Sequence, residues 1–570
     1  MAADAGWLFT GGDALYQSMD QAVIGEDGSV YMAVTNRGTI DFAPTESFSD
    51  NRDVVTAAPD GRNQLVIAKY DANGNFQWAT PSSSGHAGAG SFSVDAGGVY
   101  LQGSFDGPAD LDLNDPSPTH EIANNSESRI HYYARLDAST GKYDWVKTAD
   151  VFLEASSAAD GTSYVLLTKT GSGLTFDGVT YNNSENFEKF SILVQLDSSG
   201  QLIRTQRLGS WEFFTVDDIQ VEDSSDNPSE WTLFGTGYSQ SILYFGDADQ
   251  LHLESTAGES NDRFTDRDNH LLAFALNAND GNLKWANVYE TDWSQRGRSV
   301  HPVADGSVFI DAQSEPESSY ADPPGTTIFD PSQPDSAITG AGDFILKLDS
   351  NGSFERVLHN EGSLGTYEIY DASADGLLIG VVPDNPIHAS SSSPASEFVF
   401  ANYLLEPDGD TSEFIFSVDS DLQTASPLFT ANPHDLDAEI ARVGYETIKV
   451  HNGLATTAGL IRGRGTFADG SPYTTPTNEE FQTPSFQIFA SQFELPAQPD
   501  LPTAPTPPVT TVLFADSFEY GQWNGKWVED SQNDWFTSSQ RSGEGRYSAE
   551  VDGSANNAKL TVAESFDLSG

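Results

Sequence analysis

The 570-residue chain contains no cysteine. Disulfides, thiolate metal sites and cysteine nucleophiles are excluded, which leaves packing and hydrogen bonds to hold the fold. Basic residues are scarce: 27 Lys and Arg stand against 85 Asp and Glu, a formal charge of −58. Such a surface repels phosphate backbones, so nucleic acid is not an expected partner. No run of about 18 apolar residues occurs, so no transmembrane segment is expected. The opening Met-Ala-Ala-Asp-Ala-Gly-Trp lacks the basic and apolar regions of a signal peptide. The expectation is a mature, secreted or cell-surface chain with an added start Met, its acidity suited to salty water and inviting divalent cations.

Catalytic signatures are missing too. The sequence has no His-Glu-x-x-His, no Gly-x-Ser-x-Gly elbow, no phosphate loop and no dinucleotide fingerprint, so no nucleotide cofactor is expected. The 10 histidines, from His86 to His451, show no pair at metal-ligand spacing.

What is present is a repeat, and a period of tens of residues decides architecture before any single strand does. An apolar run ends in an Asp-x-x-Gly turn or near variant, then enters a strand that often carries Trp. The instances are the segments reaching Trp78, Trp145 and Trp285 and those around Asp197, Asp349 and Asp408. This predicts antiparallel strands joined by a tight turn, with Asp or Asn capping it and Gly supplying a positive φ. Ahead of each lies a second hairpin signal, at Asp27, Asp95, Asp160, Asp223, Asp305 and Asp375, and a seventh follows at His451-Asn452-Gly453. Each unit therefore holds about four strands. Units recur every 59 to 82 residues or so, more than the roughly 40–45 of compact blades. The excess lies in polar, Pro- or Ser-rich inserts such as 314–334 and 390–396, which belong on loops at one face.

Seven four-stranded units with no helical period between them predict an all-β fold, a seven-bladed β-propeller over residues 1–495. The seventh unit has no final strand, because a Pro-rich stretch begins at Pro496. Residues 5–12, AGWLFTGG, match the final strands FQWAT and LKWAN and have no hairpin before them. Pairing them with the seventh unit closes the ring and leaves that blade no unpaired edge. The Trp-free units, at Ile203, Phe354 and Phe414, imply that this strand tolerates other apolar residues.

The Gly-Gly after a Trp strand, the Asp-Gly hairpin with Val-Tyr, and the segments GDFILKLDSNGS and LVIAKYDANGNFQW resemble the bacterial seven-bladed propeller repeats of exported surface proteins. The likeness spans residues 1 to about 495 and departs at the units around Asp223 and Glu406, through a long loop and a missing Lys. The pieces LDASTGKYDW and LNANDGNLKW also look like quinoprotein repeats. Those propellers usually have eight blades, and no quinone cofactor is expected here.

Residues 496–512 read as a Pro-rich linker. Residues 513–570 are aromatic, strand-like and glycine-punctuated, the expected N-terminal part of a β-sandwich. They resemble the start of a jelly roll of the MAM or carbohydrate-binding kind, through DSFE, NDWFTSS and SGEGRYSAEVDG, without the cysteines MAM modules commonly carry. That resemblance implies a cation site at Asp516, Glu519 and Asp534. These 58 residues are fewer than a jelly roll needs, so the expectation is that the natural protein continues past Gly570 or that a partner completes the module.

Among the propeller's acidic turns, Asp71, Asn73 and Asn75 have calcium-like spacing, though turn capping explains them. The denser group Asp106, Asp110, Asp112 and Asp115 is a second cation candidate, and calcium is the only cofactor suggested. Trp523, Trp527 and Trp535 would either stack on sugar rings or form sandwich core. The leading expectation is a non-enzymatic binding or adhesion scaffold for an extracellular glycan or surface protein. The alternative is a secreted carbohydrate-active or other hydrolase whose site lies at the channel mouth.

Overall fold

Short strands separated by Asp and Gly turns fold back on their chain neighbours, and in the computed structural model they do so in seven successive blades. It describes residues 8–495 with interruptions, the longest at 254–268, 316–325, 384–397 and 432–441, and beyond them four short strands at 527–529, 535–538, 548–551 and 560–562. There is no helix among the described residues long and apolar enough to cross a membrane. The chain divides into two compact units, one carrying Met1–Glu317 with Gly325–Pro502 and the other taking in Thr503–Gly570.

Each blade is an antiparallel meander running outward from the centre, as in the first: Gln17–Ile24, Val30–Asn36, Gln64–Tyr70 and Phe76–Pro81. The seven innermost strands are Gln17–Ile24, Gly88–Val94, Leu153–Ser157, Phe214–Glu222, Ser294–Pro302, Gly365–Ser373 and Arg442–His451. Each touches the next, and the last touches the first, so the ring is closed. A buried apolar cluster fills each of the seven blade interfaces. Their burial is the main driving force for assembly.

The expected closure is present. Leu8–Gly11 is the outermost strand of the seventh blade and pairs antiparallel with Phe486–Glu494, Leu8 opposite Ser491 and Gly11 opposite Ile488. Phe9 is buried in the cluster between the seventh and first blades, against Phe42 and Tyr70.

The Trp-bearing outer strands have a role beyond filling. Trp78 Nε1 donates to the Ala138 carbonyl in the next blade's turn at 3.2 Å, Trp145 to Ser198 at 3.1 Å and Trp285 to Ser350 at 3.1 Å. The indole lies on that turn's glycine, so a Cβ at Gly141 or Gly352 would come within 2.5 Å of it. Only glycine, which also takes the positive φ the turn requires, fits there.

Two sequence expectations need correction. The Trp position of the third blade is not Ile203 but Arg204, at the register Trp145 holds in the second, and its guanidinium donates to the Ala278 carbonyl at 3.0 Å. Arg356 occupies that register in the fifth blade, while Phe354 aligns with Phe76. A planar guanidinium replaces a planar indole. In the sixth blade Asp408 lies outside the described residues, and Phe414 belongs to the third strand, Glu413–Asp419. The hairpin turn there is Asp419 to Leu422, with Leu422 at φ 54° where the repeat elsewhere has glycine. Tyr403–Leu405 pairs with Phe398–Phe400 as a separate hairpin inside the insert.

The meander fixes which loops share an end. Turns joining strands one to two and three to four lie on one face. The long connections from strand two to three, and those between blades, lie on the other. Two inserts add strands to a neighbour: Gly173–Phe176 and Val179–Asn182 extend the second blade, Leu243–Phe245 and His252–Leu253 the third. The second unit shows two antiparallel pairs, Trp527–Glu529 with Leu560–Val562 and Trp535–Ser538 with Ser548–Val551.

Candidate functional site: the insert-bearing channel mouth

Six of the seven innermost strands break register against their partners, at Asp20, Gly90, Asp217, Arg298, Tyr370 and Glu446. A β-bulge re-aims the side chain at the extra residue and disturbs the local ladder. Around these breaks, side chains of one blade satisfy amides of the next. Asp20 Oδ2 accepts from the Ala89 amide at 3.1 Å and from Thr35 Oγ1 at 2.8 Å. Asp218 Oδ2 accepts from the Val300 amide at 2.9 Å, and Asp343 Oδ2 from the Tyr367 amide at 3.3 Å.

Burial raises the pKa of three acids here. Asp20 is held above the usual carboxylate range by burial, against hydrogen bonds from Thr35 and Ala89. Glu154 is pushed up to about 8 by burial, helped by repulsion from Asp218 and Asp217. Asp218 is pushed up to about 6, again chiefly by burial. Cations answer some of this charge. Arg296 grips Asp217 with two bonds of 2.7 and 2.6 Å. Lys189 donates to Thr215 Oγ1 at 2.6 Å, its pKa lowered by burial despite the pull of Asp217. Within the fifth blade Arg298, on the innermost strand, bridges buried Asp311 and Asp343 of the next two strands at 2.8 and 2.9 Å.

Beside Glu154 a pocket of about 230 Å³ opens between the second and third blades. Its wall is the backbone of Gly88, Ala89, Gly90 and Gly103, with Gln102, Arg129, His131 and Phe152 around it. Phe152 lies in the connection entering the third blade, 57% exposed, its ring edge-on to His131 at 5.8 Å. Gln102 Nε2 donates to Glu154 Oε2 at 3.2 Å. The arrangement offers an aromatic surface and hydrogen-bonding groups in one concave site, with the Glu154 carboxyl behind Gln102.

The residues singled out by sequence fall elsewhere. Asp110 Oδ1 caps the Asp112 amide, and Asp112 Oδ1 caps the Asn114 amide. Asp115 pairs with Lys142 at 3.4 Å, and Asp106 with Arg129 at 3.2 Å. Among the described residues no three His, Cys, Asp or Glu side chains stand together to hold a metal ion. Asp71 caps Asn73 and Asn75, as turn capping requires. Asp516, Glu519, Asp534 and Trp523 lie outside the described residues, while Trp527 and Trp535 each open a strand. Sequence reasoning did not single out Gln102, Phe152, Glu154 or Asp218. One signal was available: the glycines of HAGAG sit at the start of an innermost strand, where glycine weakens pairing and marks a close approach.

No protein-family model and no curated protein matches the chain. Solved structures similar to it include a phage phi92 endosialidase, 9% identical, covering 99% of this chain and 76% of that one at a TM-score of 0.32. A mutant Synechocystis apocarotenoid oxygenase is 9% identical, covering 89% and 97% at 0.34. The rhamnogalacturonan lyase YesW is 11% identical, covering 75% and 74% at 0.24. Likenesses this loose assign neither activity nor ligand.

Proposed function

We propose that this is a secreted or cell-surface binding scaffold that engages an extracellular glycan or surface protein through the insert-bearing face of its propeller, without catalysis of its own. The observation that carries this reading is the exposed Phe152 ring beside His131 at the lip of a glycine-walled pocket on that face. Sugars present an apolar ring face and a rim of hydroxyls, and aromatic side chains flanked by hydrogen-bonding groups receive both. The test is capture of glycans and cell surfaces by the whole chain. Binding lost in Phe152→Ala supports the reading, and no capture of either class refutes it.

The region after residue 496 enters the same reading as a spacer and a jelly-roll adhesion module, with Asp516, Glu519 and Asp534 as calcium ligands. Added calcium should raise the melting temperature and chelator lower it. A transition indifferent to both removes calcium from the account.

A second reading has its own observation. Glu154, pushed up to about 8, lies near enough to Asp218, at about 6, to feel its charge, and hydrolases divide acid and base roles between carboxyls of unequal pKa. New reducing ends released from a polysaccharide, and abolished in Glu154→Gln and in Asp218→Asn, would replace the non-catalytic reading with this one.

A further inference from the structure

Resting on the glycan-binding reading, we propose that the pocket between the second and third blades holds one neutral monosaccharide unit, its apolar face on Phe152 and a hydroxyl bonded to the Gln102 amide. Gln102 is only 4% exposed and lines the pocket, yet its Oε1 has no hydrogen-bond partner while its Nε2 is engaged by Glu154. A buried amide oxygen left unpaired is costly, and proteins keep such an atom where something else satisfies it. A hydroxyl both donates and accepts, so it suits the amide in either orientation.

The glycines show that the space itself is maintained. Gly103 is required by the fold, since a Cβ there would come within 2.2 Å of the Gly88 carbonyl oxygen and 2.6 Å of Tyr132 Oη. Gly88 and Gly90 are not. A Cβ at Gly90 would meet only Gln102, at 3.9 Å, one at Gly88 only Asp20 Oδ2, at 3.6 Å, and neither residue has a positive φ. The backbone would accept alanine or larger at both positions, and their bareness serves the pocket. At about 230 Å³ it is smaller than the roughly 300–1,000 Å³ of drug-sized sites and matches a single sugar ring.

The surroundings favour an uncharged ligand. Arg129 is committed to Asp106 at 3.2 Å. Burial, and then Arg129, lower the pKa of His131 and disfavour its charged form, and burial pushes the nearby carboxyl of Glu154 up to about 8.

The experiment titrates the whole chain with methyl glycosides of neutral hexoses and N-acetylhexosamines, with methyl glucuronide and inositol as comparators, by saturation-transfer NMR and calorimetry. A neutral glycoside should bind in the millimolar range and the glucuronide more weakly. Gly90→Leu, which fills the space, and Phe152→Ala, a change at an exposed side chain that leaves the core untouched, should each weaken binding about tenfold without moving the melting temperature. No neutral glycoside bound, or a Gly90→Leu variant that binds like the parent, overturns the site. If the parent captures glycans or cell surfaces and Gly90→Leu does so equally, this pocket is wrong while the binding reading stands. If the parent captures neither, both fall.

Discussion

On the turn face of the propeller, Asp137, Asp197 and Asp305 each accept bonds from a serine hydroxyl and amide two residues on, and those bonds hold their pKa values low. On the channel side, Asp20, Glu154 and Asp218 are half-buried and Glu368 keeps an exposed edge, and desolvation by the surrounding protein drives their pKa values up, in Glu368 to about 7. One residue class thus does two jobs. Turn carboxylates are ionised and shape a single hairpin. Channel carboxyls sit where desolvation works against ionisation, and two of them, Asp20 and Asp218, reach across a blade boundary to an amide of the next innermost strand. The formal charge of −58 counts every one of these carboxyls as ionised, and desolvation at the channel works against that in Glu154 and Glu368 above all.

The contrast breaks most readily at Arg298. Its guanidinium is the cation that lets Asp311 and Asp343, each 5% exposed, stay buried side by side. Arg298→Ala should cost about 3–5 kcal/mol in chemical denaturation, because two carboxyls would be left without a counter-charge. Adding Asp311→Asn and Asp343→Asn to that variant should recover much of the loss. A single variant as stable as the parent would mean that these two buried carboxyls need no compensation.

A smaller effect tests the raised pKa values through their sign. Between the unfolded value of Glu154 near 4.5 and its folded value of about 8, the native state binds the extra proton. The contribution of Glu154 is therefore fully present at low pH and is lost as pH rises through that window. Glu154→Gln should gain on the parent from pH 5 to pH 8, by roughly 1 °C in melting temperature for each kcal/mol recovered in a unit of this size. A difference that stays constant across that range would place Glu154 with the ordinary exposed acids.

The blade count, the hairpin turns and the closing strand were legible because they rest on local chemistry: Asp and Gly at fixed offsets, apolar alternation, and Leu8–Gly11 left with no hairpin of its own. The sixth blade was misread where Leu422 took a backbone conformation usually left to glycine, which removed the turn signal, while an insert at Asp408 supplied a false one. Arg204 was missed because its equivalence to Trp145 depends on a register shift at Gln195 that no composition reveals. The pocket was illegible for a broader reason. Gln102 belongs to the second blade and Phe152 and Glu154 to the third, and only the packing of one blade on the next brings them together.

The smallest expected effect tests the turn-face half of the comparison. Asp137→Ala removes the acceptor for the Ser139 and Thr140 amides and hydroxyls, in one exposed hairpin. The net cost should be about 1 kcal/mol, since water replaces most of what is lost. Its pH course is opposite to that of Glu154. The Ser139 hydroxyl above all depresses the folded pKa of Asp137, so its contribution is present above the unfolded value near 3.8 and disappears as pH falls through the folded one. Parent and variant should therefore converge in acid and separate toward neutrality. If they separate in acid instead, Asp137 acts in the hairpin as a protonated acid, and the division between ionised turn caps and channel acids of raised pKa fails.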